Sequence, residues 1–402
     1  MTLLFNVTDA ISSASNHGIT RTERQLARSL ADRPGVEYVA MANGRLWSID
    51  RGVVATLLDP VAVALVPSVE RLGVDPPPPT AAAGALTVVR KAVRALREPQ
   101  PVGGVPPGLE RLRVADGDTL VSVGLDWVHD LLGDAERLRF GRGVEYVGFC
   151  YDLIPIDHPE WIFPPDPDRF VKHFRRANRI AAQVLCISES TRRDFVRLFP
   201  EYDPNRVGVL PLGADAAVDV GEEQDRFAAS LCDGEPYAVY CATLDRRKNH
   251  RTLYRAAREM ARQGAPCNIV LVGKVGTGVD DLLYSLRHDP QVAGRFVHVT
   301  NCDDAHLAAI YRHARFAVYP SLYEGWGLGV TEALAHGTPC LIAEGSSLSE
   351  AGLGVCRELH PLRTRDWATA MTEYFAAPPE LGPVTIPTWA DAADALVRMV
   401  GR

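Results

Sequence analysis

Short apolar runs recur along this chain, each followed by a longer stretch of helical spacing. That alternation limits the fold more than any other feature. In the first half the runs are Leu3–Val7, Glu37–Met41, Val61–Val66, Thr119–Val123, Tyr146–Asp152 and Gln183–Ile187. In the second they are Tyr237–Ala242, Asn268–Val272, Phe296–Val299, Phe316–Tyr319 and Pro339–Ala343. Between them lie helical patterns such as Arg21–Leu30, with Leu26, Ala27 and Leu30 on one side. Continuous apolar strands separated by helices imply parallel sheets covered on both faces. The expectation is an α/β protein of two doubly wound, Rossmann-like domains, 1–212 and 213–384, followed by a helical tail over 385–402 with Thr388 as its N-cap. The polar, acidic segment 216–234 reads as the interdomain connection. No short-period repeat is present, which removes solenoids and propellers.

A net charge of −7 argues against a general nucleic-acid binder, which would carry a basic face. No apolar run reaches the ~20 residues of a membrane helix. Met1–Val7 opens as a strand, with no basic flank and no cleavable apolar stretch, so a cytoplasmic protein is expected. The eight cysteines include no C-x-x-C pair, and no His/Cys spacing suggests zinc; reduced, structural cysteines are expected.

An irregular insert, about 67–108, carries Pro76–Pro79 and a basic amphipathic stretch over 86–97. Leu86, Val89, Val93 and Leu96 share one face of it, opposite Arg90, Lys91, Arg94 and Arg97. The plainer reading is a surface helix packed on its domain. The functional one is peripheral contact with an anionic membrane surface or a lipid-phosphate acceptor.

The segment Glu324-Gly325-Trp326-Gly327-Leu328-Gly329-Val330-Thr331-Glu332 lies between a strand and a helix. A glycine-rich turn there leaves backbone N–H groups at the positive end of a helix dipole, a natural phosphate site. The two glutamates repel phosphate and suit hydroxyl groups instead, as acceptors of charge-assisted hydrogen bonds worth roughly 1.5–3 kcal/mol each. Phosphate plus polyol on one turn indicates a nucleotide sugar.

Three consecutive cations, Arg246, Arg247 and Lys248, follow the first strand of the second half. Ligands of open parallel sheets bind beyond the carboxyl ends of strands, so these residues could clamp a diphosphate; a solvated charge cluster is the bland alternative. Gly18, before a helix, could bring N–H groups near a phosphate, or serve an ordinary turn. Asp152, at a strand end, either faces a ligand or caps a turn. Ser188 reads as a helix N-cap.

Together these segments resemble the family-4 retaining glycosyltransferases of GT-B fold, most strongly from Tyr237 to Gly352. The E-x7-E segment is the most specific element. Thr243–His250, Tyr319–Tyr323 and Ser188–Thr191 support it. Tyr151–Pro155 and His17–Arg21 are similar to the branch that builds bacterial surface polysaccharides, often from GDP-mannose or deoxysugar donors. The resemblance implies two Rossmann-like domains facing each other across a cleft, the N-terminal one for acceptor and the C-terminal one for nucleotide sugar, with the last helix crossing back to the first domain. It gives Glu324, Lys248, Arg247 and Asp152 to catalysis, Glu324 at the donor sugar and the two cations at the diphosphate. Gly18, Thr243, Gly325, Trp326, Gly327, Leu328 and Glu332 go to donor binding, Glu332 at the ribose. Backbone around His298–Asp303 would meet the base. Three positions depart from the pattern. Thr243 replaces a frequent Arg, Tyr151 replaces a frequent His near the reacting sugar, and Gly329 replaces a usual Pro, which is expected to loosen the turn.

The implied activity is metal-independent transfer of a hexose or deoxyhexose, mannose from GDP-mannose first, to a glycan, lipid-linked or small-molecule hydroxyl. No cofactor and no metal are expected, the nucleotide sugar being substrate. The partners would be that donor and its acceptor, not nucleic acid, at a cytoplasmic location or at the inner membrane face through 86–97. The rivals are an epimerase of the same fold and a silent nucleotide-sugar-binding subunit.

Overall fold

The computed structural model describes residues 1–13, 18–58, 67–73, 108–162, 166–214 and 218–401. Among them the first strands are β1 (Leu3–Asn6), β2 (Val36–Ala42), β3 (Arg45–Ile49), β4 (Ser68–Leu72) and β5 (Leu109–Glu110). Then come β6 (Thr119–Ser122), β7 (Glu145–Cys150), β8 (Ala181–Cys186), β9 (Val207–Val209) and β10 (Ala238–Cys241). The last are β11 (Ile269–Val272), β12 (Phe296–Thr300), β13 (Phe316–Tyr319), β14 (Cys340–Ala343) and β15 (Arg357–Leu359). The chain divides into two units. One holds the described residues of Met1–Val63, Gly84–Gly213 and Pro387–Arg402, the other those of Ala64–Ala83 and Ala214–Ile386. Both are α/β units built on mostly parallel sheets.

The first unit carries an eight-stranded sheet in the order β5-β3-β2-β1-β6-β7-β8-β9. Its strands from β2 to β9 by way of β1 are parallel, and β3 and β5 add antiparallel pairs at one edge. Strand β3 escaped the periodicity argument, although Asn43-Gly44 is a strong hairpin signal: both residues have positive φ, 52° and 69°. The β1 side chains Leu4 and Phe5 are fully buried, as expected of a central strand covered on both faces. Helix Trp389–Val400 packs on helix Gly18–Leu30 within this unit. Thr388 and Asp391 close a capping box at its start. Gly213 lies under that cap; a Cβ there would come within 2.3 Å of the Thr388 carbonyl carbon, so only glycine fits.

The second unit carries a seven-stranded sheet, β15-β14-β13-β10-β11-β12-β4. All its neighbours are parallel except β4, which pairs antiparallel with β12, Ser68 opposite Thr300 and Leu72 opposite Phe296. This corrects the expectation that the start of the 67–108 insert belongs to the N-terminal domain: Ser68–Leu72 lies in the second unit. The short polar run Ser-Val-Glu-Arg-Leu has strand alternation too weak to name its sheet, and Glu70–Arg287 and Arg71–Asp233 ion pairs anchor it there. The 216–234 reading is corrected too. Its described part includes the helix Glu222–Ser230, which packs on helix Asp304–His313 within the second unit. The strand expected at Val61–Val66 and the helix expected at 86–97 lie outside the described residues.

In both sheets the strand order reverses beside the first parallel strand. In the first unit this switch falls between β1 and β6, in the second between β10 and β13. Adjacent connections there leave on opposite faces and open a crevice at the carboxyl ends.

Candidate active site

At the switch of the second sheet, β10 runs into Thr243–Asn249 and helix His250–Arg262, while β13 runs into Pro320–Gly327 and helix Leu328–Ala335. The two loops are stitched together by polar contacts. Leu322 N–H donates to Arg247 O at 2.8 Å, and Asn249 Nδ2 to Pro320 O at 2.9 Å. Asn249 has φ 55°, a left-handed conformation that Asn tolerates. The buried Tyr240 hydroxyl donates to Lys248 O at 2.8 Å and meets the Ser321 hydroxyl at 2.9 Å.

This stitching brings Arg247 and Lys248 onto Glu324. Arg247 Nη1 donates to Oε2 at 2.6 Å and to Tyr323 O at 2.7 Å; Lys248 Nζ donates to Oε1 at 2.6 Å. All three side chains are largely buried, with 17%, 19% and 11% exposure. Burial alone would raise the Glu324 carboxyl, but Arg247 and Lys248 outweigh it and hold its pKa down at about 2. The cluster carries net positive charge: two cations against one carboxylate. Arg246 is exposed and lies near Gly278 instead. His250 is buried without a hydrogen bond to either ring nitrogen, and desolvation depresses its pKa to about 3, so it adds no charge.

Past Glu324 the turn is shaped by close packing. Gly327 has φ 130°, and a Cβ there would stand 2.9 Å from Leu348 Cδ2 and 3.1 Å from Ala351 Cβ. The Ser347 hydroxyl lies 2.7 Å from both the Glu324 and Trp326 carbonyl oxygens. Helix Leu328–Ala335 has no side-chain N-cap and no acid in its first turn, leaving its positive end open to an anion. Trp326 is buried, and its indole N–H has no protein partner. Glu332, on the same helix, is buried to 9% exposure. Thr243 precedes Leu244, which bridges to Val275. Gly329 does not loosen this turn. It is helical, its carbonyl accepts from Tyr319 Oη at 2.6 Å, and a Cβ on it would meet the Tyr319 ring at 2.6 Å.

The structure therefore gathers Arg247, Lys248, Glu324, Gly325, Trp326, Gly327, Leu328 and Glu332 on the two facing loops and the helix that follows. His298 and Asp303 hold local structure: the His298 ring meets Gly273 O at 2.7 Å, and Asp303 caps helix Asp304–His313. Gly18 and Asp152 belong to the first unit. Gly18 opens helix Gly18–Leu30, and Asp152 Oδ1 accepts from Ile154 N at 3.2 Å, a turn-capping contact. Tyr151 is buried, with its hydroxyl donating to Val123 O at 2.6 Å. Burial pushes its pKa well up, so the phenol does not stand in for a histidine base. Sequence reasoning missed Tyr240, Ser321 and Ser347, because small polar residues carry no pattern until the loops meet.

Two doubly wound α/β units, the second with cations and an open helix start at its switch point, define the GT-B class of protein. Anabaena HepE, solved in complex with UDP, superposes with a TM-score of 0.61 at 14% identity, covering 99% of this chain and 95% of HepE. Sucrose-phosphate synthase from Thermosynechococcus elongatus gives 0.60 at 17% identity, over 99% and 93%. More particularly, residues 221–351 match the family model for Glycosyl transferases group 1. The chain is 28% identical over 264 residues to the serotype-specific mannosyltransferase WbdA of Escherichia coli, covering 62% of this chain and 32% of WbdA. It is 30% identical over 268 residues to D-inositol 3-phosphate glycosyltransferase of Rhodococcus opacus (strain B4), covering 63% and 59%. The match to WbdA thus spans about a third of that protein.

Proposed function

We propose that this chain is a retaining glycosyltransferase, moving a hexose or deoxyhexose from a nucleoside diphosphate to a hydroxyl of a glycan, lipid-linked or small-molecule acceptor. The observation that carries it is the convergence of Arg247 and Lys248 on Glu324 beside an open helix start. Breaking the sugar–phosphate bond builds negative charge on the leaving diphosphate. Fixed cations and N–H groups stabilise it without reorganising, each donor typically worth ~3–4 kcal/mol. In the front-face route the C1–phosphate bond breaks and the C1–acceptor bond forms on the same side, while the acceptor proton passes to the departing phosphate. Glu324 holds the two cations in register beside the donor sugar; Glu332 holds the ribose. No step of this route calls for a metal or cofactor.

Mannose from GDP-mannose is the first donor to try, supported by the similarity to WbdA and to O-antigen chain mannosyltransferase B of Escherichia coli, 26% identical over 212 residues. For a lipid-linked acceptor, the basic stretch 86–97 would supply peripheral contact at the inner membrane face. A second reading rests on Tyr151, whose phenol is tied to a backbone carbonyl: a silent nucleotide-sugar-binding subunit, which would bind donor and transfer nothing.

A thermal-shift screen with GDP, UDP, TDP and ADP identifies the base. Incubating the matching sugar nucleotides, with and without chelator, against mannoside acceptors then tests transfer, and NMR of the product's anomeric proton tests retention. Inversion, or loss of transfer on chelation, would overturn the corresponding part of the proposal.

A further inference from the structure

A pair of thiols stands on the second sheet, outside the cation cluster. Strands β14 and β15 run parallel with Leu341 opposite Arg357, and Cys340 and Cys356 each lie one residue ahead of that pair, side by side. Residues side by side on neighbouring strands stand about 4.8 Å apart, inside the range of about 4.4–6.8 Å that a disulfide spans between Cα atoms. The two side chains also point the same way: their thiols lie within hydrogen-bonding reach of each other, and both face Tyr374 on helix Thr364–Ala376. Cys340 is buried, its thiol donating to Thr338 O at 3.4 Å, whereas Cys356 is partly exposed.

Cys150 and Cys186 of β7 and β8 give an internal comparison. They are also direct neighbours with thiols in contact, but both are 0% exposed. An oxidant in solution reaches a thiol only through an exposed sulfur, so of these two pairs Cys340 and Cys356 alone are open to it in the folded protein.

A short stretch of chain joins Cys356 to the donor turn. A Cβ on Gly352 would stand 3.2 Å from Cys356 Cβ and 2.8 Å from Ile342 Cδ1, so Gly352 is wedged between Cys356 and β14. The helix Leu348–Ala351 just before it supplies the contacts to Gly327, and Ser347 holds the Glu324 and Trp326 carbonyls. Closing a disulfide draws the two Cβ atoms to about 3.8 Å. Cys340 is fixed within β14, so Cys356, ahead of β15, is the end that moves. Close packing passes that movement through Gly352 to the helix behind the turn.

We propose that Cys340 and Cys356 form a reversible thiol–disulfide switch on the wall of the nucleotide-sugar turn. The Cys356 thiolate attacks an oxidised low-molecular-weight thiol such as glutathione disulfide, forming a mixed disulfide and releasing one glutathione thiolate. Cys340 then gives its proton to solvent and attacks Cys356 Sγ, which forms the internal S–S bond and releases the second glutathione. Two cysteine thiols are oxidised, and one disulfide is reduced to two thiols. Burial holds the Cys340 thiol well above the ordinary cysteine range, so it acts second. That the switch bears on sugar transfer rests on the transferase reading above; the bond itself does not.

The test exposes the folded full chain to excess glutathione disulfide and maps the cysteines by alkylation and mass spectrometry. A loss of about 2 Da and a linked Cys340–Cys356 peptide are expected, reversed by dithiothreitol, with Cys150 and Cys186 still free. The oxidised protein should melt higher, because the link closes a loop, and its transfer rate should fall by about threefold or more. Cys356→Ser should keep the reduced wild-type rate and lose both responses, while Cys340→Ala should stop at the mixed glutathione disulfide. Absence of the Cys340–Cys356 link overturns the proposal, as does a link that leaves melting and transfer unchanged. If neither redox state transfers sugar, the transferase reading fails, and the mapped link and the melting shift still decide the switch.

Discussion

Lys248 Nζ lies 2.6 Å from Glu324 Oε1, although the two residues come from loops after different strands. A single hydrogen-bonded carboxylate thus sets the spacing of two cations, because Arg247 takes its other oxygen. Removing one partner of such a buried cluster is far more damaging than its net stabilisation suggests, since the remaining charges lose their compensation.

Lys248→Ala should therefore weaken nucleoside diphosphate binding by about tenfold or more and lower turnover further, while Arg247 keeps Glu324 ionised. Isothermal titration with the preferred nucleoside diphosphate reads this directly. Unchanged affinity would remove Lys248 from the diphosphate site. Glu324→Ala should lose most turnover; wild-type rates would sink its assignment.

Acid should erase what Glu324 contributes. Its folded pKa is depressed to about 2 against an ordinary 4.5, so its contribution is fully present above about pH 4.5 and is lost as pH falls through 2. The difference corresponds to about 3 kcal/mol at neutral pH. Urea unfolding of wild type and Glu324→Gln should show the gap at about pH 7 and its shrinkage toward about pH 3. A gap that does not change with pH would contradict the ion cluster.

Gly329→Ala should destabilise the second unit by about 1–3 kcal/mol, because the new methyl meets the Tyr319 ring at 2.6 Å and the ring is buried. Gly329→Ala in a Tyr319→Phe background does not relieve the clash, as the ring edge and not only the hydroxyl is in contact. Thermal unfolding of the two variants decides it.

Ser347→Ala removes the hydroxyl that bridges the Glu324 and Trp326 carbonyls. A loss of about 1 kcal/mol is expected, with a larger fall in turnover than in nucleotide affinity, since the turn rather than the cations is loosened. Equal falls in both would place Ser347 in general stability.

The strands at the centre of each sheet were legible because a parallel strand buried on both faces must be apolar throughout. Edge strands were not: β4 and β15 are short and half polar, and β4 pairs with a strand distant in sequence. The Glu324–Glu332 turn was legible as a site from its glycines and charge. That Glu324 would spend both oxygens on Arg247 and Lys248 was not, because the pairing depends on two loops being stitched through Tyr240, Ser321 and Asn249.

The sequence by itself determined the α/β class, two successive sheets, and which turn has the chemistry of a phosphate and polyol site. Those follow from local periodicity and from residue types adjacent in the chain. Tertiary structure alone decided that strand Ser68–Leu72 belongs to the second sheet, that Gly329 is a packing requirement of Tyr319, and that His129 meets Asp9. Each of these is a contact between segments far apart in sequence, and no local pattern encodes which apolar face or carbonyl a residue will find when the sheet closes.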